Sequence, residues 1–299
     1  MEVLESAIRL STPLLFAALG GVLSERVGIV NIALEGMLLA GAFAAMAAAS
    51  ASGSPWLGIV AAAATGLALG LLHTYLVLSL RVDAIISGVG LNLLALGLTT
   101  FLLRSLYSGG VGVQVRGPAP WFPALHSVPL LGALLGADTP FVPLALLAIA
   151  GIWFVTYHTR PGLQLRAVGE APRAARAAGV SVDRTRALWL AAAGALTGIG
   201  GAYLSLEAAG RFTENLSAGR GYLALAAVIF GRWHPIGAAV AVLFFGLGEA
   251  AEIKLQGASL FGGAIPSELL SALPYVLGLL ALAGALGRTT PPAGIGQYD

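Results

Sequence analysis

Apolar residues run along this chain in long continuous stretches, not in the alternating pattern of barrel strands. A helix crossing the ~30 Å hydrocarbon of a bilayer needs about 20 mostly apolar residues. On that measure the sequence predicts spans at 7–24, 31–50, 57–80, 85–106, 139–158, 187–208, 219–231, 236–253 and 266–286. The seventh is short for a full crossing and reads as a half-helix or re-entrant segment. Continuous apolar runs point to helices and away from a closed barrel. The predicted fold is all-α, a polytopic transmembrane bundle of about nine spans (eight to ten), making one domain over 1–299. Small-residue pairs such as Gly66/Gly70 and Gly194/Gly198 permit close helix packing but identify no function.

Two hydrophilic stretches interrupt this pattern. Residues 108–139 are rich in Gly and Pro, with Trp121, Phe122 and His126, and Arg116 as the only basic residue. Residues 159–186 hold Arg160, Arg166, Arg173, Arg176, Arg184 and Arg186 against Glu170 and Asp183. Six of the 16 basic residues in so short a stretch is a strong positive-inside signal. The expectation is a cytoplasmic 159–186 and an extracytoplasmic 108–139. Arg81, Asp83 and a cytoplasmic tail at 287–299 then fall inside, and the acidic N-terminus outside. Pro291 and Pro292 predict a poorly ordered tail. Glu2 and Glu5 near the start argue against a cleavable signal peptide, so the first apolar stretch should remain a span.

Composition narrows the classes. Hydrophobic residues make up 58% of the chain, with 41 glycines besides, and charged residues only 10%, where about 25% is usual for soluble domains. That is too little charge to coat a water-facing surface, which argues against a soluble enzyme, a disordered chain or a nucleic-acid binder. There is no cysteine, so disulfides and thiolate chemistry are excluded. His73, His126, His158 and His234 show no metal spacing, and no Walker sequence is present.

Polar residues inside apolar surroundings are the candidate chemistry. Glu25, Arg26, Asn31 and Glu35 cluster at the junction of the first two spans. On a continuous helix Asn31 and Glu35, four apart, would share one face. An unpaired carboxylate in a span costs about 2.5–3.5 kcal/mol on insertion scales. The group is therefore either a structural ion pair, with Arg26 as one partner, or a polar wall of a substrate pathway. His73 reads as a packing residue more readily than a ligand, and Asn92, with Ser87, as a helix-to-helix bond or part of a path. Glu249 and Glu252, beside Lys254, read as a solvated interfacial cluster. In the arginine-rich loop, Pro172 suits the first turn of a short helix and Gly179 its stop. Such a helix could dock on a soluble partner.

Four blocks carry a family resemblance: residues 21–43 (GVLSERVGIVNIALEGMLLAGAF), 86–99 (ISGVGLNLLALGLT), 165–186 (LRAVGEAPRAARAAGVSVDRTR) and 218–238 (AGRGYLALAAVIFGRWHPIGA). Together they resemble membrane permeases of bacterial ATP-binding-cassette importers. That wider family handles branched-chain amino acids, ribose-like sugars and nucleosides. The ERxGxxNIxxEG pattern (Glu25, Arg26, Gly28, Asn31, Ile32, Glu35, Gly36) looks like the nucleoside or simple-sugar branch. The resemblance implies a multi-pass protein of the bacterial cytoplasmic membrane, with no cofactor and no catalysis of its own. It also implies a second, related permease, a cytoplasmic ATPase that supplies the energy, and an extracytoplasmic substrate-binding lipoprotein. Residues 169–179 then look like the coupling helix, with Ala174, Ala175 and Gly179 matching AAxxxG. Arg173 stands where such permeases often carry glutamate, and Glu170 lies one turn away. Nucleosides are the first expectation, simple sugars of the ribose or galactose type the second. An ion-driven transporter titrating Glu35 or Glu249 is a remoter alternative, and an intramembrane enzyme lacks any visible nucleophile–base pair.

Overall fold

The computed structural model describes residues 2–107, 112–128, 132, 134, 138–255, 259–260, 263–264 and 290–298. Among these residues ten α-helices follow one another: α1 (Glu2–Arg26), α2 (Leu34–Ser52), α3 (Pro55–Thr74), α4 (Ala84–Leu106), α5 (Phe141–His158), α6 (Arg160–Glu170), α7 (Pro172–Ala177), α8 (Val182–Tyr203), α9 (Arg220–Phe230) and α10 (Pro235–Leu255). α3 and α8 each continue through a π-helical turn, Tyr75–Ser79 and Leu204–Ala208. A two-residue antiparallel pair, Ser259–Leu260 with Gly263–Ala264, adds nothing to the architecture, which is all-α. Among the described residues seven helices are long and apolar enough to cross a membrane. α9 has only 11 residues, about 16 Å of helix, and is the short segment anticipated at 219–231. The predicted span 266–286 lies outside the described residues.

Local chemistry sets several helix ends. The Asp83 carboxylate accepts from the Ile85 and Ile86 amides at 2.9 and 3.1 Å and starts α4. Thr159 does the same for α6 through Gly162 N–H, at 3.3 Å. One boundary departs from expectation: the second span begins at Leu34, not at 31, because the chain turns at Gly28 (φ +95°) and stays non-helical through Ala33. Only glycine adopts that conformation without steric cost.

α8 is the spine of the bundle. A Cβ at Gly66 of α3 would strike the Gly194 carbonyl, and one at Gly198 would strike that of Ala62. On another side Gly41 of α2 lies against the backbone of Gly198, and Gly201 against Leu38. Gly20 of α1 meets Ala193 on a third. Lipid tails are as apolar as leucine, so burial alone does not hold such helices together; close van der Waals packing does. The spans of α1, α2 and α8 are 78%, 67% and 67% buried, against 28% for α4 and α5, so the first three form the core. α4 turns Ile86, Leu93 and Phe101 outward.

At one end of the bundle α5 runs into α6 and α7, beside the C-terminal end of α1 and residues 290–298. At the other, residues 112–115 pair with the non-helical segment 209–219: Gly112 N–H donates to Phe212 O at 2.9 Å and Val115 N–H to Gly210 O at 2.8 Å. Arg104 and Glu214 form a two-pronged ion pair there, at 2.8 and 3.2 Å.

Candidate functional site

Two clusters contain the residues singled out from sequence. The first surrounds the 27–33 elbow between α1 and α2. Glu25, 3% exposed, accepts the Trp233 indole N–H through Oε2 at 2.5 Å. Arg26 donates to the Trp233 carbonyl at 2.7 Å and to the Tyr157 hydroxyl at 3.1 Å. It does not pair with Glu35, which corrects the suggested ion pair: Glu35 points to the other side of the elbow. Both bonds to Trp233 depend on a tight turn in which Arg232 and Trp233 take positive φ, 54° and 53°. Beside it the His234 ring stacks on Tyr157 at 5.1 Å. Burial, with the Arg26 charge, holds that imidazole below its usual pKa range.

On the far side of the elbow, His73 Nδ1 lies 2.8 Å from Ser87 Oγ, and its Nε2 lies 3.1 Å from the Val30 carbonyl. A carbonyl can only accept, so Nε2 carries the proton and Nδ1 accepts from the serine hydroxyl. Asn92 uses its whole amide. Oδ1 accepts from Gly36 N–H at 2.8 Å, while Nδ2 donates to Ile32 O at 3.0 Å and to the Tyr222 hydroxyl at 3.1 Å. Asn31 is fully buried, and among the described residues its Oδ1 makes no hydrogen bond. Because α2 starts only at Leu34, Asn31 and Glu35 do not share a helical face.

Glu35 caps a helix other than its own. Its Oε1 accepts from Ser217 Oγ at 2.6 Å and Gly219 N–H at 2.8 Å, and its Oε2 from Gly221 N–H at 2.6 Å. The first amides of α9 have no partner within that helix, and a carboxylate is favoured at a helix N-terminus. The expected cost of a carboxylate within a span is thus met by oriented donors. Close by, Arg220 pairs with Glu249 at 2.7 Å. Glu249 therefore has a partner on α9 that the reading of it with Glu252 and Lys254 as an interfacial cluster did not include.

The second cluster is the arginine-rich connection. Its segment is two helices, α6 and α7, where one short helix was expected. α6 buries Leu165 and Val168 against Leu23, Val27 and Ile29. Pro172 stands at the start of α7. The chain leaves α7 through Gly179 (φ +84°), where Gly179 N–H reaches Arg176 O and Val180 N–H reaches Ala175 O, both at 3.0 Å. Both boundaries were readable in the sequence. Pro172 and Ala175 face inward, whereas Glu170, Arg173, Ala174 and Gly179 are exposed.

The tail differs from its expectation. Residues 290–298 are not loose but bonded to α6 and the elbow, with Gly294 N–H on Gly169 O at 2.8 Å and Gly296 N–H on Gly28 O at 3.1 Å. Ser217, Tyr222, Trp233, Arg186 and the tail were all missed as partners from sequence. They lie between 111 and 268 residues from the groups they bind, and no spacing rule reaches so far.

A family model described as branched-chain amino acid transport system / permease component matches residues 3–282. The guanosine ABC transporter permease NupQ of Bacillus subtilis is 38% identical, over 94% of this chain and 91% of its own length. The nucleoside ABC transporter permease NupC of Lactococcus lactis is also 38% identical, with the same coverage. TsgC13 of Haloferax volcanii, a permease named for glucose, is 35% identical over 96% of this chain and 92% of its own. The chain belongs to the branched-chain amino acid transport system / permease component family, as a multi-pass permease of the cytoplasmic membrane and not an enzyme in its own right.

Proposed function

We propose that this chain is the membrane-spanning subunit of an ATP-driven importer that moves nucleosides by alternating access. The observation that carries this reading is the 38% identity, over more than nine-tenths of the chain, to permeases named for guanosine and for nucleosides. A second, related permease would complete the pathway. Bacillus subtilis has a further guanosine permease, NupP, 26% identical to this chain, alongside NupQ. A separate cytoplasmic ATPase and an extracytoplasmic binding lipoprotein would complete the complex.

In this reading 159–186 and the tail are cytoplasmic and 108–139 is extracytoplasmic. The ATPase docks on α7 and the residues flanking it through Glu170, Arg173, Ala174 and Gly179, with Ala175 seating that helix on the bundle. The inward contacts of Pro172 and Ala175, with the outward Arg173 and Ala174, support that role. Glu25, Arg26, Asn31, Glu35, His73, Ser87 and Asn92 act as a structural polar core, not as the pathway wall. Their support is that each directs side-chain atoms at groups of neighbouring helices or of the elbow, Asn31 through a long Nδ2 contact of 4.0 Å with Met37 Sδ. An ion-driven cycle through Glu35 or Glu249 has less support, since both carboxylates are engaged at the start of α9.

The test is uptake of labelled nucleosides, ribose, galactose and glucose by cells expressing the complete complex. ATP-dependent nucleoside uptake that excess sugar does not inhibit is expected. Sugar uptake indifferent to excess nucleoside would overturn the substrate and leave the permease assignment in place. A sugar permease is the second reading, favoured by the likeness to TsgC13.

A further inference from the structure

Arg186 has the largest side chain that is fully buried in the described part of the protein, at 1% exposure. It sits in the first turns of α8 and reaches two backbones. Its Nη2 donates to Gln297 O at 2.6 Å, and its Nε faces Val27 O at 3.5 Å. The Tyr298 ring lies 5.5 Å beneath its guanidinium. A long charged side chain is rarely buried without a specific arrangement to hold it. Here the arrangement is the tail on one side and the elbow on the other.

The tail itself is wedged between the two clusters described above. Gly294 touches α6 closely enough that a Cβ there would stand 2.7 Å from Gly169 O and 2.8 Å from Pro172 Cδ. On its other face, a Cβ at Gly28 would stand 3.1 Å from Gly294 O. Glu170 Oε2 accepts the Ala293 amide at 3.2 Å, which fixes the last residue of α6 to the same strand of chain. Ordering a segment costs about 1–2 kcal/mol of backbone entropy per residue, which the bonds on its two faces must offset. A segment tied at Gly28, Gly169, Glu170 and Arg186 joins elements far apart in the sequence.

We infer that residues 290–298, clamped by Arg186, are a strap that makes α6–α7 and the α1–α2 elbow move as one body. Arg186 is then a positioning residue for transport. This rests on the reading of α7 as the docking site of the ATPase. A displacement of α7 passes through Pro172 and Gly169 to Gly294, and through Gly296 to Gly28. From there the elbow carries it to Val30 and Ile32, whose carbonyls bond His73 of α3 and Asn92 of α4. Without the strap, α7 would still bind its partner, but its motion would reach the elbow through the apolar packing of α6 on Val27 and Ile29 and the contact of Gly169 with the Arg26 backbone, without the backbone hydrogen bonds of Gly294 and Gly296.

The test compares the complete complex in proteoliposomes for three variants: truncation before Thr290, Gly294→Val and Arg186→Lys. Each is assayed for co-purification of the ATPase, basal ATP hydrolysis and substrate taken up per ATP consumed. Residues that carry coupling without touching a ligand alter it by about two- to thirtyfold. The expected result is an uptake-to-hydrolysis ratio lowered within that range by truncation and Gly294→Val, with the ATPase still bound. Arg186→Lys, which retains the charge but gathers its donors on one nitrogen, should fall between these and the unaltered protein. A ratio unchanged in Gly294→Val would overturn the strap, and that single substitution decides the matter if the truncated chain fails to assemble. Gly179→Trp separates the two ideas: unimpaired ATPase binding and transport there would remove the docking reading itself, whatever the tail variants do.

Discussion

α8 and α4 both carry glycines in apolar runs, and over most of their length the two helices use them in opposite ways. Gly194 and Gly198 of α8 touch backbone on α3, and Gly198 also touches α2, at distances where no side chain fits. Gly90 and Gly97 of α4 meet nothing within 4 Å among the described residues, while Gly88 lies against Ile32 and Ala33 of the elbow. α4 is joined to the core at Gly88 and, beyond it, chiefly by a polar side chain, through the three bonds of Asn92. The lesson is that a small residue in a span is a packing element only where another helix backbone comes to meet it. α8 is held by shape, which tolerates no added volume, and α4 by directed bonds, which survive changes elsewhere on its surface.

The largest effect that would break this contrast is overpacking of the spine. Gly194→Leu is expected to exceed the roughly 1–3 kcal/mol typical of extra core volume, because the neighbour is main chain that cannot repack. No folded, monodisperse protein should be recovered in detergent. Recovery with an unaltered melting temperature would show that α3 and α8 can separate.

Next comes Glu35→Ala, which strips Ser217 Oγ, Gly219 N–H and Gly221 N–H of their acceptor. Each buried donor left unmade costs about 1–3 kcal/mol, so a marked fall in melting temperature is expected. Glu35→Gln should lose less, since it keeps one acceptor oxygen. Equal losses for the two would argue that volume, not capping, is what Glu35 supplies.

Asn92→Ala probes the α4 side directly. Side-chain hydrogen bonds between membrane helices average about 0.6 kcal/mol apiece, so three should cost about 1–2 kcal/mol, read as a smaller shift in the same thermal assay. A loss as large as that of Gly194→Leu would erase the distinction between the two helices.

The smallest effect belongs to Gly97→Ala. With nothing opposite, the added methyl should raise the melting temperature slightly, by up to about 1 kcal/mol of helix propensity. Destabilisation of the isolated chain would mean that the α4 face is covered. Gly97→Leu then sharpens the point: loss of association with a second permease, without loss of thermal stability, would place α4 at their interface.

Much of this molecule was legible in its amino-acid order because the relevant physics is local. Span length against bilayer thickness located every described span to within about five residues. Proline at the start of α7 and glycine after it bounded that helix, since each acts through its own backbone preference. The arginine excess of 159–186 marked a distinct end of the bundle, a matter of composition alone. Contacts across the chain were not accessible in this way. Asn31 seemed to share a face with Glu35 until Gly28 turned the chain and delayed the helix to Leu34. Arg26 seemed a natural partner for Glu35, yet bonds to Trp233, 207 residues away. The proline-containing tail looked loose, and only its approach to Gly28, Gly169 and Arg186 makes it ordered. In each case the free energy depends on which distant backbone group arrives at bonding distance. Local propensity and hydropathy carry no record of that; the packed bundle alone supplies it.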